Sequence, residues 1–138
     1  MKNGFINSFS ALIALSLSIL SVGSAFADQC DYIKADQAQK ALQYIQTGST
    51  LLQYCEMCFG NQASLMTVSA VQSDVKTAAT DKVQYSAITA NGTELDLAYT
   101  FLKVDSVYIN LSKIVDCSST GVSPFLTQKD VDALLASQ

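Results

Sequence analysis

The chain has 138 residues, of which 49% are hydrophobic and 14% charged, with eight lysines, twelve carboxylates and a formal net charge of −4. It contains no histidine, arginine or tryptophan. These absences exclude Ser-His-Asp and Cys-His catalytic arrangements, ordinary histidine metal sites and bidentate arginine recognition of phosphate or carboxylate groups.

The first 27 residues have the pattern of a secretory signal peptide. Lys2 precedes an apolar stretch, and the small residues Ala25 and Ala27 stand where signal peptidase requires small side chains. We therefore expect cleavage between Ala27 and Asp28 and export to the periplasm or the medium, as in a bacterial-type precursor. A membrane anchor is disfavoured because about a dozen apolar residues fall short of the roughly 20 that span a bilayer.

Removal of this signal would leave residues 28–138 as a single mature domain. The remaining 111 residues are too few for two domains. Loss of Lys2 would leave seven lysines against twelve carboxylates, a net charge of −5. We expect no nucleic-acid partner and no stable membrane attachment after cleavage, because both phosphate backbones and anionic lipids attract clustered cations. The oligomeric state stays open.

The mature chain opens on a predicted amphipathic helix. Apolar residues recur every three or four positions between residues 34 and 46, and Gly48 follows as a stop signal. The next segment, residues 51–60, is apolar and carries two cysteines, and it is interpreted as a buried loop or a short strand. Alternation of apolar and polar residues over 65–75 predicts a first β-strand.

The clearest local signal is a β-hairpin around Asn91 and Gly92. Both residue types tolerate the positive φ that a type I′ turn requires, and strand-like runs at 83–90 and 93–101 flank them. The expected register pairs Ile88 with Leu95 and Ser86 with Leu97. It places Leu95, Leu97, Tyr99 and Phe101 on the core face, and Glu94, Asp96 and Thr100 on the solvent face.

Tyr85, Glu94 and Asp96 form the candidate interaction surface. Tyrosine combines a large contact area with a polar end, and Tyr85 is expected opposite Ala98 on the solvent side of the hairpin. The two carboxylates beside it would make an acidic patch suited to a basic protein partner. The competing interpretation is an ordinary solvated sheet face.

The remaining chain predicts one more strand and two short helices. Residues 106–111 read as a strand, and Asn110 can cap a helix of one or two turns. Residues 118–124 have loop composition, and Thr127 can cap a terminal helix with Asp130 in its first turn. The whole order predicts a disulfide-stabilised α+β domain, with an N-terminal helix on a three- to four-stranded antiparallel sheet and short C-terminal helices.

Cys30, Cys55, Cys58 and Cys117 indicate two disulfides, because an even count is usual in an exported chain. The expected framework joins Cys30 and Cys117 each to one member of the central pair. A second hypothesis pairs Cys55 with Cys58 as a redox-active Cys-x-x-Cys and leaves Cys30–Cys117 as a separate structural bond, although no helix N-terminus is predicted at Cys55 to lower a thiol pKa. A third is a four-cysteine zinc site, which an oxidising compartment disfavours.

These observations predict an exported, small, acidic, non-enzymatic binding protein, such as an inhibitor or a secreted host-interaction factor, with a protein partner and no metal or cofactor. One alternative from the enzyme class is a periplasmic thiol-disulfide oxidoreductase that uses Cys55 and Cys58. Another is a structural component of the cell envelope.

Overall fold

The computed structural model of the protein describes residues 30–56, 58–60 and 62–138. The expected signal peptide and its cleavage site lie outside these residues. The helices of the described part are α1 (Ala35–Tyr44), α2 (Leu111–Ile114), α3 (Gln128–Ala136) and a 3-10 turn (Leu97–Tyr99). Its strands are β1 (Thr50–Tyr54), β2 (Ala63–Thr67), β3 (Val71–Thr77), β4 (Gln84–Ala90), β5 (Thr93–Glu94), β6 (Thr100–Val104), β7 (Val107–Asn110) and β8 (Phe125–Thr127).

The strands form two antiparallel sheets, in the orders β2-β1-β6-β7-β8 and β3-β4-β5. The predicted α+β class with antiparallel pairing is confirmed, but the expected count of three to four strands in one sheet was wrong. The run predicted as one strand over 65–75 is β2 followed by β3, because residues 68–70 turn the chain from the first sheet into the second. We call residues 68–70 the β2–β3 corner.

Helix α1 packs on the three-stranded sheet and is preceded by residues 30–34, which form a turn and a short irregular segment, so it does not begin the described chain. The backbone N–H of Lys34 donates to the side-chain oxygen of Gln37 at 2.7 Å. Gln37 in turn donates from Nε2 to the Val115 carbonyl at 3.0 Å. Burial of Ala38 and Ala41 follows from the apolar spacing of the sequence.

The core is divided into two clusters of buried residues. The larger cluster joins α1, α2 and residues of both sheets, and its buried members include Ile33, Ala41, Ile45, Leu51, Val68, Ile88, Leu95, Leu102 and Leu111. The smaller one places α3 against the five-stranded sheet through Leu52, Phe101, Tyr108 and Val131. The sheets are therefore fixed to each other mainly through the larger cluster.

The predicted hairpin turn is confirmed, but its second strand is much shorter than expected. Asn91 and Gly92 have φ of 53° and 80°, and Ala90 pairs with Thr93 in the predicted register. After Leu95 the chain leaves β4 and enters the 3-10 turn. The predicted pairing of Ser86 with Leu97 was wrong, since the N–H of Ser86 instead donates to the carbonyl of Ile33, before α1.

The C-terminal elements follow the sequence closely. Asn110 is buried and its Oδ1 accepts the N–H of Ser112 at 2.9 Å, as expected for the cap of α2. Thr127 caps α3, because its Oγ1 accepts the N–H of Asp130 at 3.1 Å and its own N–H donates to the Asp130 carboxylate at 3.0 Å. Strand β8, just before this cap, was not predicted.

All four cysteines are in disulfides, and the pairs are Cys30–Cys117 and Cys55–Cys58. The expected framework of two long bonds to the central pair was therefore wrong. Cys30 and Cys117 meet beside the larger core cluster, where the N-terminal segment lies close to the end of α2. Cys55 and Cys58 bond to each other within the loop between β1 and β2, so only one bond links distant parts of the chain.

Candidate functional site

Strand β3 is a long, unpaired edge of the three-stranded sheet. Its seven residues pair with β4 on one side only, and no strand of the described residues lies on the other side. The other edges differ: β5 has two residues and β8 has three. At the β2 edge, the side chain of Gln138 accepts the N–H of Ala63 at 2.9 Å. We call the outer side of β3 the β3 edge.

The hydrogen-bond pattern of β4 shows which groups of β3 point outward. Ser86 donates its N–H to the Ile33 carbonyl at 2.9 Å, and the Ile88 carbonyl accepts the N–H of Leu95 at 2.8 Å. Even-numbered residues of β4 therefore direct their backbone groups away from β3, and the odd-numbered ones direct theirs toward it. In the observed register, Gln72, Asp74 and Lys76 bond to β4, whereas Ser73, Val75 and Thr77 direct their N–H and C=O groups outward.

An apolar groove of about 510 Å³ opens beside this edge. Tyr32, Val75, Val83 and Tyr85 contribute its main apolar and aromatic surface, and we call it the Tyr32 groove. The rings of Tyr32 and Tyr85 lie 5.3 Å apart between centroids and are inclined by 52°, a geometry typical of a favourable aromatic contact. Val75 is 72% exposed although it lies in the middle of a strand.

The groove is built from segments that the fold holds in place. Tyr32 lies between Cys30, which is bonded to Cys117, and Ile33, whose carbonyl accepts a hydrogen bond from β4. On the other side, Val83 follows the β3–β4 turn, where its carbonyl accepts the N–H of Ala78 at 2.8 Å. The groove therefore has walls fixed by a disulfide and by a hairpin.

The predicted surface of Tyr85, Glu94 and Asp96 is not one continuous acidic patch. Tyr85 is half-buried in the Tyr32 groove. Its observed sheet partner is Lys76 of β3, whereas the expected partner was Ala98 of the hairpin's second strand. Glu94 is exposed, and its carboxylate lies 3.6 Å from Nζ of Lys76. Only Tyr85 of the three therefore belongs to the groove.

Asp96 has a structural role at the start of the 3-10 turn. Its Oδ1 accepts the N–H of Ala98 at 3.2 Å. The residue is solvent exposed, yet neighbouring atoms partly shield its carboxyl group, and this desolvation raises its pKa. The Ala98 hydrogen bond lowers the pKa and the charge of Asp31 raises it. The interaction role expected for Asp96 stays a prediction.

The Cys55–Cys58 disulfide occupies an exposed loop. Cys55 is half-buried and Cys58 is exposed, and the next residue, Phe59, is fully exposed. Glu56 ties this loop to the segment before β8, because one of its carboxylate oxygens accepts the N–H of Ser123 at 2.9 Å. Desolvation, followed by the charge of Glu56, raises the pKa of Tyr54.

Sequence reasoning missed Tyr32, Val75 and Val83. The available signal was Val75, a β-branched residue between Asp74 and Lys76, which are charges of opposite sign at neighbouring positions of a strand. Within the described ranges, no group of three or more carboxylates and cysteines is placed to hold a metal ion. In the same part of the chain, no helix has the length and apolar character needed to cross a bilayer.

No protein-family model, no curated protein and no solved structure matches this chain.

Proposed function

We propose that this protein is an exported, non-enzymatic binding module that takes an extended strand of a polypeptide partner on the β3 edge. The observation that carries the proposal is the row of outward backbone groups at Ser73, Val75 and Thr77. Strand addition of this kind derives affinity from main-chain hydrogen bonds and specificity from side-chain pockets. The Tyr32 groove supplies such a pocket next to Val75.

The length and composition of β3 support a binding role. Natural proteins usually protect sheet edges with prolines, bulges, short strands or a covering segment. Strand β3 has seven residues, contains neither proline nor glycine, and forms a continuous ladder with β4 from Val71 to Thr77. Its charged residues, Asp74 and Lys76, disfavour unspecific pairing, and its length leaves a row of outward backbone groups for one matching strand.

Export and a non-enzymatic role are supported by two different features, the disulfides and the residue types that the chain lacks. Two disulfides are typical of proteins that fold in oxidising compartments. The lack of histidine and arginine removes the commonest groups for proton transfer and for the recognition of anionic substrates. A surface that binds through backbone groups and an apolar groove needs neither residue.

Site-specific photo-cross-linking tests the surface in the cells that make the protein. A photoreactive side chain at Val75 is expected to give one discrete cross-linked species. The matched control is Val104, a valine of the five-stranded sheet whose exposed fraction is 41%. Equal cross-linking at both positions, or none at Val75, would contradict the proposal.

A backbone variant tests the strand-addition geometry. Val75→Pro removes an N–H that points outward, so the pairing of β3 with β4 keeps its hydrogen bonds. Val75→Ala retains the N–H and removes most of the side chain, and it serves as the matched control. We expect cross-linking from a reporter at Thr77 to be lost in Val75→Pro and retained in Val75→Ala.

A second candidate, thiol-disulfide exchange, is favoured by the pairing of Cys55 with Cys58. A thiolate of a substrate dithiol would attack the exposed Sγ of Cys58 and release the Cys55 thiolate. The second substrate thiol would then resolve the mixed disulfide. The substrate dithiol would lose two electrons and two protons, and both cysteines would end as thiols. The neighbouring Glu56 carboxylate argues against a lowered thiol pKa, as does the absence of a helix N-terminus among the described residues of this loop.

Redox titration separates the two candidates. A redox role requires a reduction potential above about −300 mV, the upper range of structural disulfides. It also requires insulin reductase activity that Cys55→Ala/Cys58→Ala abolishes and Cys30→Ala/Cys117→Ala retains. The binding proposal expects no insulin reductase activity in the unmodified protein or in either variant.

A further inference from the structure

We propose that the strand that adds to the β3 edge is β3 of a second copy of this chain, antiparallel to the first around a two-fold axis at Val75. This inference rests on the proposed function, because it names the partner of the surface described above. It joins the two three-stranded sheets into one sheet of six strands.

Hydrogen-bond geometry requires odd-numbered residues of one β3 strand to lie opposite odd-numbered residues of the other. Only Ser73, Val75 and Thr77 direct backbone groups outward along the centre and end of the strand. An axis at Val75 pairs Val75 with its own copy, and Ser73 with Thr77, so that every outward group in this stretch meets an outward group of the other strand. An axis at Asp74 or Lys76 also pairs outward groups with outward groups, but it places Asp74 opposite Asp74 or Lys76 opposite Lys76, and like charges directly opposite each other are destabilising.

The charges of β3 select Val75 among these axes. With the axis at Val75, each Asp74 lies directly opposite Lys76 of the second copy, which gives two ion pairs for each dimer. With the axis at Ser73, Asp74 would lie opposite Gln72, and neither lysine would meet a carboxylate. With the axis at Thr77, Lys76 would lie opposite Ala78. The register at Val75 is thus the one in which the charges of the strand complement themselves.

The geometry of the two ion pairs is favourable. Asp74 and Lys76 would face each other in a non-hydrogen-bonded pair, where Cα atoms come within about 4.5 Å and side chains are closest. Nζ of Lys76 already lies 3.6 Å from the carboxylate of Glu94 in its own chain. In the dimer each lysine would therefore lie between two carboxylates from different copies.

The same axis covers the most exposed apolar residue of the strand. Val75 is 72% exposed, and directly opposite residues of an antiparallel pair lie on the same face of the sheet. The two Val75 side chains would therefore pack against each other. The two Tyr32 grooves, each of which includes Val75, would then adjoin across the axis and form one continuous apolar surface.

Sedimentation velocity on oxidised residues 28–138 tests the inference. We expect the unmodified protein to sediment at twice the monomer mass, with a dissociation constant that rises with salt because exposed ion pairs are screened. Asp74→Lys places two lysines opposite two lysines across the axis, and Lys76→Asp places carboxylates opposite carboxylates. Each single variant should weaken dimerisation at least about tenfold.

Mixing the two variants gives the decisive result. An Asp74→Lys chain and a Lys76→Asp chain have complementary charges in the proposed register, so an equimolar mixture should form the heterodimer that neither variant forms alone. Lys129→Asp and Asp132→Lys, both exposed on α3, make the same changes of net charge away from β3 and should leave dimerisation unchanged.

The outcomes also separate this inference from the proposed function. A protein that stays monomeric, while Val75 still cross-links to another polypeptide, would overturn the inference and leave the binding role intact. A dimer that persists in both charge variants and in Val75→Pro would place self-association elsewhere and also overturn it. Loss of the Val75 cross-link together with a monomer would overturn both.

Discussion

The side chain of Asn91 holds the backbone of Ser69, 22 residues earlier in the chain. Its Oδ1 accepts the N–H of Ser69 at 2.7 Å and the hydroxyl of the same residue at 2.8 Å. Nδ2 donates to the Thr67 carbonyl at 2.9 Å. One residue of the β4–β5 turn therefore fixes the β2–β3 corner, and with it the direction in which the β3 edge faces.

Two substitutions of Asn91 should separate the effect of its side-chain hydrogen bonds from that of its positive φ. Asn91→Gly keeps the positive φ but loses the side-chain hydrogen bonds, and we expect it to lower the free energy of unfolding by about 1 to 3 kcal/mol. Asn91→Ala should cost a further 1 to 2 kcal/mol or so, because a side chain with a Cβ is strained at positive φ. Urea unfolding measures both effects.

The neighbouring Thr93→Ala variant is the control, since Thr93 is exposed in the same hairpin. An Asn91→Gly variant as stable as the unmodified protein would show that the corner does not depend on these bonds.

Local signals in the sequence were sufficient wherever a feature is made by neighbouring residues. The turn at Asn91-Gly92, the cap at Thr127 and the periodicity of α1 depend on contacts within a few positions, and each appears in the structure. The β2–β3 corner depends instead on a residue far along the chain. Alternation continues from β2 into β3 across it, so the pattern alone could not show that the strand changes sheets.

The candidate site was harder to predict for the same reason. An edge strand differs from a central strand only in what lies beside it, and β3 reads as an ordinary alternating run. Tyr32 reaches Tyr85 because the Ile33 carbonyl accepts the N–H of Ser86 in β4, and that hydrogen bond depends on the complete fold. The leading cysteine framework was wrong and the pairing of the second hypothesis is the observed one, because the pairing depends on where the β1–β2 loop projects.

The two disulfides should differ strongly in their effect on stability. Cys30–Cys117 closes a loop with a sequence separation of 87, and Cys55–Cys58 one with a separation of 3. In the chain-entropy model, the stabilisation grows with the logarithm of loop length. Replacement of Cys30 and Cys117 by alanine should cost about 4 to 5 kcal/mol, and replacement of Cys55 and Cys58 about 1 to 2 kcal/mol.

Urea unfolding of the two double variants under non-reducing conditions measures this difference. Equal losses would contradict the assignment of Cys30–Cys117 as the main covalent constraint of the domain.

Asp96 should make the folded state less stable as it ionises. Desolvation raises its folded pKa above the ordinary value of 3.8, so its contribution is most favourable below that value and is lost as pH rises through the raised pKa. Asp96→Asn keeps an oxygen that can accept the Ala98 N–H and removes the charge near Asp31. We expect it to be more stable than the unmodified protein at pH 7.

That gain should shrink in acid, where Asp96 is protonated in the unmodified protein. Asp132→Asn, at an exposed position of α3, removes the same charge and controls for the general effect of a lower net charge. A gain of equal size in both variants would show that the environment of Asp96 is not its cause.

The cap of α3 should give the opposite dependence on pH. Hydrogen bonds from the backbone N–H and then the hydroxyl of Thr127 lower the pKa of Asp130. Its stabilisation is therefore present above the ordinary pKa of 3.8 and is lost as pH falls through the lowered folded value. Asp130→Asn should be less stable than the unmodified protein at pH 7, and the two should converge in acid.

Thr127→Ala removes the other half of the same cap and should cost about 1 kcal/mol at neutral pH, whereas Thr127→Ser retains the hydroxyl and should cost less. Because Thr127 and Asp130 bond to each other, the double variant should lose less than the sum of the two single losses. Thermal unfolding across a pH series measures the four variants and the unmodified protein. A constant difference between Asp130→Asn and the unmodified protein at every pH would show that the carboxylate charge does not stabilise the cap.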